Sequence, residues 1–147
     1  MDSKQKQLIY IRFCYWLGAI LDGLMAIDMT LYMFFNTQVY LGLPHPSDQT
    51  QLALRYGTGL MIGWTILLIW GVQKPIERRD LLIITVFPVI ISGVIYEIIF
   101  FSIGNQFLTL NGLILSNIIP IPLSVIFIYA FIIAKNLNQD NSIKEIK

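Results

Sequence analysis

The chain has 147 residues, 56% hydrophobic and only 13% charged, with a net charge of +1 and a mean hydropathy of +0.68. So little charge excludes a soluble domain with an ordinary hydrated surface, and the near-neutral balance offers no basic footprint for nucleic acid. A single cysteine, Cys14, and a single histidine, His45, exclude an internal disulfide, a CxxC redox pair, a thiolate metal cage and bis-histidine haem ligation within one chain, so neither a metal nor a cofactor is expected.

Four apolar stretches, near residues 8–35, 52–72, 81–101 and 107–134, each approach or exceed the ~20 residues that a helix needs to cross hydrocarbon. The first opens on Lys4, Lys6 and Arg12 like a signal peptide. Its apolar run is too long for one, is interrupted by Asp22 and Asp28, and ends without a small-x-small cleavage site, so a retained membrane helix is expected. Helical spacing gathers Tyr15, Gly18, Ala19, Asp22, Gly23, Ala26 and Thr30 on one broad face. The connection 36–51 carries Pro44, His45 and Pro46, then Asp48-Gln49-Thr50-Gln51, a capping-box pattern for the second helix.

The second stretch contains Gly59-Leu60-Met61-Ile62-Gly63, a spacing that lets membrane helices approach closely. The next loop, Gln73 to Asp80, holds Lys74, Arg78 and Arg79. Asp80 is its expected N-cap, and the basic cluster suits anionic headgroups. The third stretch places Thr85, Pro88, Ser92 and Tyr96 on one stripe, and the fourth does the same with Asn117, Pro120 and Ser124. Each proline removes a backbone donor and disturbs the carbonyl four residues earlier. Pro120 and Pro122 together are therefore expected to bend or unwind the fourth helix near Ser116–Ile118. A short polar tail, 136–147, is expected to be mobile.

Lys4, Lys6 and Arg12, then Lys74, Arg78 and Arg79, then Lys135, Lys144 and Lys147 occupy alternate connections, with only Arg55 toward the other side. This distribution puts both termini and the middle loop in the cytoplasm. The expected fold is all-α: an antiparallel four-helix transmembrane bundle forming a single domain over 1–135, multi-pass in the cell membrane, with one small or polar stripe per helix turned inward. Tyr10, Tyr15, Trp16, Tyr32, Tyr40, Trp70 and Tyr129 fall near helix ends, where aromatic belts anchor a protein at the interface.

Counting residues inward at ~1.5 Å each places Asp22, Ser92 and Asn117 near the bilayer midplane. A carboxylate there costs about 2.5–3.5 kcal/mol. The expected escape is a proton, which lets a neutral Asp22 donate to Asn117 or to a carbonyl freed by the prolines. A second layer, nearer the outer face, holds Asp28, Arg55, Tyr96 and Glu97. Arg55 is expected to fork onto one of the two acids. Asp28 projects about 120° away from Asp22, toward Leu17, Leu21 and Leu24, which favours a place at the bundle edge or against another subunit.

These costly groups at matched depths point first to binding or transport of a small or lipidic ligand through a polar pocket opening outward, lined by Asp28, Arg55, Tyr96 and Glu97, with Asp22, Ser92 and Asn117 beneath. A structural or accessory subunit, docking on a partner membrane subunit or a second copy through the Gly59–Gly63 face, is the alternative. A membrane enzyme using an Asp28–Glu97 acid/base pair ranks third, because no residue supplies a nucleophile; no catalytic residue is assigned.

Overall fold

The computed structural model describes residues 3–35, 48–104 and 110–145. Among them every regular element is helical: α1 (Ser3–Phe35), α2 (Asp48–Gln73), α3 (Asp80–Ile84), a π-helical segment (Thr85–Ile91), α4 (Ser92–Ser102), α5 (Leu110–Asn117) and α6 (Pro120–Glu145). Four stretches are long and apolar enough to cross a membrane, namely Ser3–Phe35, Leu52–Gln73, Asp80–Ile99 and Pro120–Gln139. Helix is the economical choice for such sequences, because an unbranched apolar segment can satisfy all its backbone polar groups internally. Tyr40, Pro44, His45, Pro46 and 107–109 lie outside the described residues, as do the side chains of the proposed capping box at Asp48–Gln51.

The first three spans match their expected positions, and the fourth does not. The run 107–134 is split: α5 ends at Asn117, a turn covers Ile118 and Ile119, and α6 begins at Pro120. The prolines explain the site of the break. Pro120 and Pro122 occupy the first turn of α6, where amides have no helical acceptor to lose, while the Ser116 and Ile118 carbonyls find no N–H four residues on. The chain re-enters regular structure with Leu123 N–H donating to the Ile119 carbonyl at 3.1 Å. From there α6 continues through most of the polar tail to Glu145.

Pro88 has a different outcome. It sits inside the π-helical segment, whose widened register pairs each carbonyl with the amide five residues on. The Ile84 carbonyl, which Pro88 cannot serve, passes in that pattern to Val89, and the helix continues unbroken into α4. At the start of α3 the expected N-cap is corrected. Arg79 holds the cap position without a side-chain capping hydrogen bond, and Asp80 is the first helical residue, with Arg79 Nε 4.0 Å from its Oδ1. There it still favours the helix through its charge near the N-terminal dipole.

The described chain forms two compact units, Met1–Cys14 with Lys74–Lys147, and Tyr15–Gln73. In the first, α3 and the π-helical segment pack on α6, and α5 packs on α4 and α6. Leu82, Val86, Phe127, Ala130 and Ala134 are fully buried. Tyr10 meets Tyr129 edge-on with ring centroids 5.7 Å apart, and its hydroxyl donates to the Ile126 carbonyl at 3.4 Å.

In the second unit α1 and α2 run antiparallel, as the close pairs show: Tyr15 meets Gly71, Gly23 meets Thr65 and Met29 meets Gly57. A Cβ at Gly71 would lie 2.4 Å from the Tyr15 ring, so this glycine is the one that admits a close approach. Gly59 and Gly63, the residues expected to do so, face open space. Tyr15 and Tyr32 are fully buried, which removes them from the interfacial belt; Trp16, Trp70 and Tyr129 remain about half exposed.

Candidate functional site

Within the first unit one polar group stands apart from the rest. Ser and Thr hydroxyls on these helices mostly turn back on their own backbone. Thr85 donates to the Leu81 carbonyl at 2.7 Å, Ser102 to Ile98 at 2.7 Å and Ser124 to Pro120 at 2.9 Å. Such back-bonding hides a polar atom from hydrocarbon without a partner helix. Ser92 belongs to this class, its hydroxyl lying against the Pro88 and Val89 carbonyls.

Glu97 makes long-range contacts instead. Its Oε2 accepts from Ser116 Oγ at 2.6 Å and from Asn117 Nδ2 at 2.6 Å, both short enough to be charge-assisted. The proton inventory closes on this arrangement. Asn117 Nδ2 carries two protons, one for Glu97 and one for the Leu113 carbonyl at 2.9 Å. Ser116 Oγ carries one; directed at Glu97, it leaves the longer 3.1 Å contact with Leu113 unserved. Asn117 is buried and Glu97 half-buried. Glu97 Oε1 accepts no hydrogen bond among the described residues.

The helix break positions this cluster. Glu97 lies just inside the end of the Asp80–Ile99 span, and Asn117 lies just ahead of the Pro120–Gln139 span. Asn117 therefore lies with Glu97 near the ends of these two spans and not mid-span. Counting through an unbroken 107–134 helix misplaced it. Beside the cluster runs an open groove of about 470 Å³, to which Asn117 contributes, with Val94, Ile98, Leu113, Ile114, Ile121 and Pro122 along its walls.

The remaining candidates distribute differently. Tyr96, next to Glu97, is exposed and takes no part in the cluster. Asp22, Asp28 and Arg55 belong to the second unit. Asp28 is buried. Arg55 is exposed. Within its own unit, the hydrogen bonds on Glu97 come from a hydroxyl and an amide. Asp22 Oδ2 is enclosed with no hydrogen-bond partner among the described residues, as is Thr58 Oγ1. A separate apolar groove of about 260 Å³ lies between α1 and α2, with Gly23, Ala26, Thr30, Ile62 and Thr65 among its lining.

Two residues were missed as site candidates. Ser116 was visible only as a neighbour of the expected break, and Thr58 carried no signal beyond being a polar residue in an apolar run. Among the described residues no group of three or more His, Cys, Asp or Glu side chains is arranged to hold a metal ion. No protein-family model matches the sequence, and no curated protein or solved structure matches it significantly.

Proposed function

We propose that this chain is a multi-pass cell-membrane protein, with its four spans in an antiparallel bundle and both termini cytoplasmic, that binds or carries a small or lipidic ligand at the Glu97–Ser116–Asn117 cluster. The observation that carries this reading is a carboxylate collected by two donors at a proline-made helix break beside an open apolar groove. Broken helices in membranes are tolerated where the freed backbone lines a cavity or a ligand. A carboxyl group near hydrocarbon is costly unless it has a task or a partner. The Lys/Arg distribution supports the orientation, which would place the cluster toward the outer face.

Native mass spectrometry of protein purified from its own membranes in mild detergent tests the reading. The wild-type chain should carry a bound small molecule, and Glu97→Gln combined with Asn117→Leu should lose it at unchanged helicity and elution volume. A bare wild-type chain, or a variant equally loaded, would count decisively against it. The accessory-subunit reading keeps one observation in its favour: Gly59 and Gly63 look onto open space, which a partner helix or a second copy would fill. A stoichiometric second chain in the same spectra would support it.

A further inference from the structure

Which chemical class fits the Glu97 cluster follows from what it has left to offer. Its donors are used up: both Asn117 Nδ2 protons and the Ser116 hydroxyl proton are directed at acceptors already present. Its acceptors are not. Glu97 Oε1 is unoccupied among the described residues, and the Ser116 and Ile118 carbonyls have prolines where their helical amides would be. The end of α5 adds the negative pole of a helix.

Charge tells the same story. On the elements packed here, α4 carries Tyr96 and Glu97 as its titratable residues, the π-helical segment and α5 carry none, and α6 carries only Tyr129 before Lys135. No basic side chain of these elements near the break neutralises Glu97. The adjoining groove is apolar, and its walls hold no further charge. An anion, or a ligand that offers only acceptors, meets nothing here to bind it. A hydrated inorganic cation would use the carboxylate but leave the groove unfilled.

We infer that the ligand of this site is a primary ammonium on an apolar body, with the ammonium N–H groups shared between Glu97 Oε1 and the carbonyls of the helix break, and the body lying in the groove. This rests on the binding reading above and specifies its ligand. A primary ammonium brings three donors to an acceptor-rich site, and hydrogen bonds between ions of this kind are the strong ones. A quaternary ammonium has the charge without the donors, so the two are separable by experiment.

The test uses the full chain in phosphatidylcholine nanodiscs, titrated calorimetrically with octylammonium, octyltrimethylammonium, octanol and octanoate, with empty nanodiscs giving the partition background. Octylammonium should bind saturably at one site, roughly 10-fold or more tighter than octanol or octyltrimethylammonium, with octanoate weakest. Glu97→Gln should abolish that preference, bringing octylammonium down to the affinity of octanol. The comparison among ligands needs no variant, so it survives any misfolding of Glu97→Gln. Equal affinity for octanol and octylammonium, a preference for octanoate or the quaternary ion, or a preference that persists in well-folded Glu97→Gln overturns the ammonium assignment and leaves the groove as a binding site. No saturable binding by any octyl compound removes the groove itself, and with it the reading on which the inference rests.

Discussion

Two stretches of the first unit share a frame of side chains and diverge in structure. Leu81-x-x-x-Thr85-x-x-Pro88-x-x-x-Ser92 is matched by Leu113-x-x-x-Asn117-x-x-Pro120-x-x-x-Ser124. In both, the polar residue before the proline is buried and donates to the leucine carbonyl four residues back. In both, the serine after it donates to the proline carbonyl. Yet the first frame runs on as a π-helical bulge and the second stops and restarts. Two differences account for this. Ile90 in the first frame is Pro122 in the second, so a single missing amide becomes two. Thr85 has one hydroxyl proton, already given to Leu81, whereas Asn117 has a second N–H to spare for Glu97. A lone proline is absorbed by shifting register; a pair spaced two apart exhausts that remedy, and an amide side chain at the resulting helix end can reach another element.

Making the first frame resemble the second should have the largest effect. Ile90→Pro removes the amide that the widened register supplies to the Thr85 carbonyl, and should cost about 3 kcal/mol or more. Unfolding in mixed detergent would measure the loss, and hydrogen exchange should show 85–91 opening first. An unchanged transition would mean that proline spacing is not what separates the two frames. Making the second frame resemble the first should cost less. Asn117→Thr keeps a donor for Leu113 and withdraws one from Glu97, for about 1–2 kcal/mol. Adding Glu97→Leu should recover most of that, because the acceptor goes with the donor and the Ser116 hydroxyl can turn to the Leu113 carbonyl at 3.1 Å. If the double variant is no better than Asn117→Thr alone, the Glu97–Asn117 contact is not the source of the loss.

How much of this was legible beforehand depended on range along the chain. The helices and the break near Ser116 could be read because apolar runs and prolines act on their immediate neighbours. The Glu97–Asn117 contact could not, since depth was counted through an unbroken helix and the break itself resets that count. Tyr15 looked like an interfacial anchor from its place near a helix end, but Gly71 on α2 opens room for its ring, and a space made by another element leaves no mark in the local pattern. The Gly59–Gly63 spacing was locally sound and is not used in the packing of the described chain.

Smaller effects test the parts that the frames share and the one part expected to be silent. Ser92→Ala and Ser124→Ala each remove a hydroxyl from a proline carbonyl, and each should cost about 0.5–1 kcal/mol. Unequal losses would show that the common frame is not energetically common. The smallest change is expected at Pro122→Ala. Pro122 lies in the exposed first turn of α6, where a restored N–H to a solvent-facing carbonyl gains little, so stability should stay within about 0.5 kcal/mol. Pro120 is then a lone proline like Pro88, so the widened register should absorb it and hydrogen exchange at Ile118 and Ile119 should slow. Exchange that stays fast there would mean that Pro120 alone holds the break open, and that the number of prolines is not what separates the two frames.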